Sequence, residues 1–209
     1  MKKILFSPWT KRALFAICLI PAFLLIRRGF AGDLSANPIE FIEHRTGDWS
    51  LRFLLITLAV TPLRKIFEQP LLTRFRRMLG LFAFFYVCVH LLMYLTFDQM
   101  FSLSGIIADV LKRPYITVGT AGFLMLVPLA ITSTAAMVRR LGPQRWQLLH
   151  RLVYFCALAG VIHYYWLVKS DVREPLMYGG ILTLLMLFRV RMWLTKAAKN
   201  KPQPSAVGA

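Results

Sequence analysis

The sequence predicts an all-α integral membrane protein, a six-helix transmembrane bundle with both termini on the cytoplasmic side. Three observations lead there. Of the 209 residues, 57% are hydrophobic and 17% charged, against about a quarter charged in a typical soluble chain, and the mean hydropathy is +0.58. The apolar residues form six continuous runs approaching the roughly 20 residues an α-helix needs to cross a bilayer. The basic residues between those runs are heavily biased to alternate connections. A membrane barrel would need short strands of alternating polarity, and continuous apolar runs exclude it.

The first run, Trp9–Ile26, has a basic start (Lys2, Lys3, Lys11, Arg12) and precedes Gly29-Phe30-Ala31, features shared with a cleaved signal peptide. Arg27 and Arg28 follow it directly, where a signal peptide is uncharged, so it is read as a retained span. The second run, Trp49–Leu63, is short and carries Arg52; a long Arg side chain that snorkels to the headgroups makes such a span tolerable. The remaining spans are Met78–Phe97, Pro114–Val138, Trp146–Val168 and Pro175–Trp193. Residues 1–195 thus form one membrane domain, and the polar, Pro-containing stretch 196–209 reads as a disordered cytoplasmic tail.

Seventeen Lys and Arg residues fall in or beside the N-terminus, the second and fourth loops and the C-terminus, against five in the first loop beyond Arg27 and Arg28 and in the third and fifth loops. The positive-inside rule therefore puts both termini in the cytoplasm. The net charge of +17 has the size seen in nucleic-acid binders. Because it is dispersed between apolar runs and forms no basic stripe, nucleic acid is excluded as a partner and the lipid bilayer accounts for it. Cys18, Cys88 and Cys156 lie inside spans with no CxxC spacing, so neither a disulfide framework nor a zinc site is indicated.

Three of the four histidines, His90, His150 and His163, lie inside predicted spans, and an ionisable residue at membrane depth is by default a candidate functional residue. Depth separates them. His90 lies eight residues before Asp98 and His163 six before Lys169. Their spans run in the same direction, so the mismatch is only about 3 Å of rise, near the outer leaflet. His150 falls about 20 Å below His163 along the same helix, at the cytoplasmic edge. If one metal is held by two histidines, they are His90 and His163. Two facing imidazoles without Cys or carboxylate suit a six-coordinate haem b better than zinc, which wants further ligands. Phe82, Phe84, Phe85, Tyr86, Tyr154, Phe155, Tyr164, Tyr165 and Trp166 surround these histidines, although interfacial belts carry Tyr and Trp without any cofactor. His44, in the first outer loop, reads as solvated.

The string Arg76-Arg77-Met78-Leu79-Gly80-Leu81 leading to His90 resembles the MsrQ family, formerly called YedZ, of the ferric-reductase-like transmembrane group. So does Trp146-Gln147-Leu148-Leu149-His150-Arg151-Leu152-Val153-Tyr154 leading to His163, and Thr61-Pro62-Leu63-Arg64 fits as well. The resemblance covers nearly the whole chain. It implies a haem-binding inner-membrane subunit that passes electrons from the quinone pool or a cytoplasmic flavin reductase to MsrP. MsrP is a periplasmic molybdopterin subunit that repairs methionine sulfoxide, a reversible lesion. It implies haem b and FMN as cofactors, with His90, His150 and His163 as the haem-associated histidines. The wider group carries a second histidine pair, but here Arg76 and Arg77 stand where its third-helix partner would be. A second, cytoplasmic-side haem would have His150 and no obvious second histidine. Arg76, Arg77, Arg145 and Arg151 are instead candidates for the FMN phosphate, although the positive-inside rule alone accounts for them.

The chain itself is then expected to be non-catalytic towards methionine sulfoxide, since it has no nucleotide-binding Gly-x-Gly-x-x-Gly and no molybdenum domain. Another haem electron conduit of the ferric-reductase kind is the alternative. A proton-coupled transporter is a weaker one, because no Asp or Glu occurs within the third to sixth spans.

Overall fold

The computed structural model describes residues 7–199, with side chains through Thr195, and every regular element among them is helical. In chain order these are α1 (Pro8–Phe30), α2 (Pro38–Ile66), a 3₁₀ turn (Pro70–Leu72), α3 (Thr73–Met93), which continues into a π-helical turn (Tyr94–Asp98), α4 (Leu103–Lys112), α5 (Pro114–Ile131), α6 (Ala135–Leu141), α7 (Pro143–Leu149), α8 (Leu152–Leu167) and α9 (Arg173–Lys199). Proline opens α1, α2, α5 and α7, where its missing N–H breaks no helical bond and its fixed φ is already helical. Ser7 and Asn37 complete the first two starts by accepting from the N–H groups of Trp9 and Glu40. Asp171 does the same for Arg173 while pairing with its guanidinium, and these hydrogen bonds hold the Asp171 carboxyl down at about 2.

Five segments, Pro8–Phe30, Pro70–Asp98, Pro114–Ile131, Pro143–Leu167 and Arg173–Thr195, are long and apolar enough to cross a membrane, so the chain is a multi-pass membrane protein. The second predicted span, Trp49–Leu63, is not among these five and sits inside α2, a 29-residue helix whose first half carries Glu40, Glu43, His44, Arg45, Asp48 and Arg52. Two predicted spans are not continuous helices. The fourth stops at Ile131, where the Ser133 N–H turns to the Ala130 carbonyl; the hydroxyls of Thr132 and Ser133 cover the carbonyls of Pro128 and Leu129, both at 2.6 Å, and Thr134 caps a fresh start for α6. The fifth breaks at His150 and Arg151, between α7 and α8. The predicted third loop contains a helix, α4, that periodicity did not single out. At the other end α9 continues to Lys199, four residues into the predicted tail, and residues 200–209 lie outside the described ones.

The core forms along α2, which packs most extensively on α3 and also touches α8 and α9. Leu51, Phe53, Leu54, Leu55, Leu58 and Val60 of α2 are all buried there, whereas α1 buries only Cys18. Inside lipid, apolar burial does not drive helices together, and packing and interhelical hydrogen bonds must. The polar side chains of the bundle serve that need. Ser50 donates to the Ala83 carbonyl at 3.0 Å, tying α2 to α3. Arg52 donates to the Tyr178 hydroxyl at 2.7 Å, tying α2 to α9. Arg189 donates to the Tyr154 hydroxyl and the Leu58 carbonyl, tying α9 to α8 and α2.

The Tyr86 hydroxyl is the link to α1. It donates to the Cys18 carbonyl at 2.9 Å and accepts from the Ala22 N–H at 3.1 Å, two groups separated by one helical step beside Pro21. Proline disturbs the ladder at this point, and the hydroxyl serves both exposed groups. Tyr86 is 1% exposed, so Tyr86→Phe leaves them unpaired in a dry site. It is expected to destabilise the bundle by about 1–3 kcal/mol, read as a lower midpoint of thermal unfolding in detergent with the secondary structure unchanged.

Candidate functional site

His90 sits near the C-terminal end of α3 and His163 near that of α8, the end that loop charge leads one to expect as the outer one. The His90 Nδ1 is 2.9 Å from the carbonyl oxygen of Glu43, and the His163 Nδ1 is 2.7 Å from that of Tyr115. A carbonyl oxygen only accepts, so both Nδ1 atoms carry the proton and both Nε2 atoms keep a free lone pair. This is the arrangement that fixes metal-ligating histidines in one tautomer and orientation. The two rings lie 6.1 Å apart, centre to centre, with their planes at 80°. An imidazole nitrogen sits about 2 Å from a bound transition metal and its ring centre about 1 Å further out, so rings on opposite sides of one metal have centres about 6 Å apart. The spacing of His90 and His163 fits a single ion between them.

Each ring lies against a glycine four residues after its carbonyl partner. The N–H of residue i+4 in a helix already bonds the carbonyl of residue i, so an imidazole sharing that carbonyl must lie over residue i+4. A Cβ on Gly119 would come within 2.7 Å of the His163 Nδ1, and one on Gly47 within 3.4 Å of the His90 Nδ1. Glu43 with Gly47 on α2, and Tyr115 with Gly119 on α5, are therefore two copies of one seat. None of these four residues stood out in the sequence. The available signal was a glycine inside a helix that otherwise gains nothing from one.

His90, His163 and both glycines line one cavity, whose lining also includes Glu43, His44, Asp98 and Arg113. His44 is thus part of the site, its Nε2 3.9 Å from Glu40. His150 lines a second cavity with Arg76, Arg77 and Trp146. The two cavities share only Leu54 and Leu126 as wall, both buried. The His150 Nε2 lies 3.0 Å from the Thr132 hydroxyl, which itself donates to the Pro128 carbonyl. The imidazole is therefore the donor, with the opposite tautomer to the outer pair and a free lone pair on Nδ1. Trp146 stacks on it at 3.9 Å and anchors its own Nε1–H on the Thr132 carbonyl.

Arg77 belongs to the second cavity, but Arg145 and Arg151 are exposed and lie outside its lining. Of the aromatics near the histidines, Tyr164 lines the outer cavity and Phe84 the inner one. Phe82 and Tyr86 pack into the core, and Phe85, Phe155, Tyr165 and Trp166 face outward, as a lipid-facing belt does. Among the described residues no group of three or more His, Cys, Asp or Glu is arranged to hold a metal, so a zinc-type site has no support.

The seats set the expected response to single methyl groups. Gly119→Ala is expected to push His163 off Tyr115 and abolish the low-spin paired-imidazole spectrum of added haem. Gly47→Ala, whose contact is looser, is expected to weaken it. Optical titration of the purified variants with haem measures both.

Residues 46–161 match the family described as ferric reductase like transmembrane component. The chain is 50% identical to a protein of Herminiimonas arsenicoxydans over 91% of its own length and 88% of the relative's. It is 54% identical to one of Rhodospirillum rubrum (85% and 86% covered) and 50% identical to one of Xanthomonas euvesicatoria (93% and 94% covered). All three relatives are named protein-methionine-sulfoxide reductase heme-binding subunit MsrQ. With half of its residues identical along almost its whole length, and the ferric-reductase-like region containing all three intramembrane histidines except the last, His163, two residues beyond its edge, the chain belongs to the MsrQ family.

Proposed function

We propose that this chain is the haem-binding electron-transfer subunit of a protein-methionine-sulfoxide reductase system. It takes electrons from the cytoplasmic side, through a flavin reductase or the quinone pool, and delivers them to a periplasmic molybdopterin reductase, MsrP. The observation that carries this reading is the pair of carbonyl-docked imidazoles, each with a free Nε2, whose ring centres lie 6.1 Å apart. The relatives' names state haem binding. Topology follows from charge: six crossings of a bacterial inner membrane, α2 included, with the Lys- and Arg-rich connections inside and the outer pair near the periplasmic face.

His90 and His163 would hold a haem b, which when bound would supply a one-electron iron couple at this depth. The carbonyls of Glu43 and Tyr115 hold both rings in the ligating tautomer and raise their basicity. Gly47 and Gly119 let the rings approach those carbonyls. Leu54 and Leu126 keep water out of the wall between the two cavities. On the cytoplasmic side Arg76 and Arg77 hold the phosphate of FMN, guanidinium being suited to that geometry. His150 offers its Nδ1 lone pair to a donor group of the guest, and Thr132 and Trp146 fix its ring. Arg151, next to His150 in the chain, is exposed and takes no part in this cavity. A second haem at His150 has less support, since no other imidazole lines that cavity.

A reduced-minus-oxidised spectrum of detergent-purified protein, with haem and flavin quantified per chain, tests the reading. Wild type is expected to show a b-type spectrum. His90→Ala and His163→Ala each lose it, and His150→Ala retains it. Ring planes at 80° further predict a highly anisotropic low-spin signal in electron paramagnetic resonance of the oxidised protein. Arg76→Ala with Arg77→Ala is expected to lower FMN content and leave haem content unchanged. A colourless wild type after haem-supplied expression would sink the proposal.

A further inference from the structure

Helix α4 is built inside out. At 100° per residue, Leu103, Ile107 and Leu111 form one stripe, and they are 70%, 52% and 80% exposed. Asp109, about 200° around the helix from Ile107, turns inward. It accepts hydrogen bonds from the Tyr94 hydroxyl at 3.1 Å and the Gln99 amide at 2.7 Å, and pairs with Arg113 at 3.3 Å. A surface helix in water shows the reverse, with its apolar stripe on the protein and its carboxylate in solvent.

The apolar surface also continues beyond the helix. Met100 and Phe101 precede it, both strongly exposed and both with left-handed backbone, φ 45° and 57°. Bulky residues adopt that conformation only where the surroundings hold them, and here the Phe101 N–H bonds the Leu95 carbonyl and the Ser102 N–H that of Gln99. Phe97, at the end of the membrane-crossing α3 segment, is exposed as well. The stripe is therefore continuous with the lipid-facing surface of α3. At its other end Lys112 and Arg113 precede Pro114 of α5, and the Thr117 hydroxyl of α5 donates to the Val110 carbonyl.

We propose that α4 lies in the plane of the membrane, with Leu103, Ile107 and Leu111 inserted among the lipid acyl chains of the leaflet at this end of the bundle. Lys112 and Arg113 sit at phosphate level, as they do in interfacial amphipathic helices. The helix anchors the outer cavity: Tyr94 and Arg113 line it and are both tied to Asp109. Lipid on the apolar face and the Asp109 cluster on the polar face fix this part of the cavity lining between them.

Nitroxide labels at Leu103→Cys, Ile107→Cys and Leu111→Cys test this, one per protein, in a Cys88→Ala background reconstituted into lipid nanodiscs. Lys169→Cys, in the exposed loop before α9, serves as the aqueous control. Power saturation compares collision with oxygen, which concentrates in acyl chains, and with a water-soluble nickel chelate. Oxygen contact is expected to exceed nickel contact several-fold at all three α4 positions and to fall below it at the control. Nickel contact dominating at Ile107 and Leu111 overturns the proposal and puts the stripe in water. Exclusion of both reagents also overturns it, because the stripe is then covered by protein, a second copy included. Each labelled protein must show wild-type α-helical content by circular dichroism, which keeps misfolding distinct from either answer.

Discussion

The shared carbonyl is the interaction on which the site depends. An imidazole in a bilayer needs a partner for its N–H, since no water is there to provide one. His90 and His163 find theirs on neighbouring helices, at carbonyls that already serve a helical hydrogen bond. A carbonyl oxygen has two lone pairs and can take both, but the second donor must approach over the next turn. That requirement puts glycine at 47 and 119. The same bond sets the tautomer, leaves each Nε2 free, and joins α3 to α2 and α8 to α5. Those are the two most extensively packed helix pairs in the bundle. Geometry at the site and cohesion of the scaffold are one set of contacts.

The rest of the bundle follows the same logic. Each interhelical tie engages a polar group that lipid would leave unsatisfied. Tyr86 serves the disturbed ladder of α1, Ser50 a carbonyl of α3, and Arg189 a carbonyl of α2. The end around His150 is organised differently. There α5 stops at Ile131, the hydroxyls of Thr132 and Ser133 cover the carbonyls of Pro128 and Leu129, and the chain restarts twice through α6 and α7. Interrupted helices at membrane depth are tolerated where the freed backbone is served by side chains or lines a cavity. Here Thr132 and Ser133 serve the backbone, and Ser133 and Thr134 also line the cavity of His150. One end of the molecule is a rigid pair of seats, the other a cavity at a break.

The sequence by itself determined the class of the fold. Continuous apolar runs and biased loops can mean only helices in a bilayer, because length and charge set both. It also determined that His90 and His163 share a depth and that His150 does not, since rise per residue converts position into height. Tertiary structure decided everything that depends on rotation about the helix axes and on neighbours. Glu43, Gly47, Tyr115 and Gly119 belong to other helices, 47 residues or more from the histidines they seat when counted through the carbonyl partners, and no spacing along one helix announces them. Arg77 and Arg151 read alike in the sequence, yet only Arg77 lines a cavity. The tautomers of the three histidines follow from which atom each ring meets, and that is a property of the packed bundle alone.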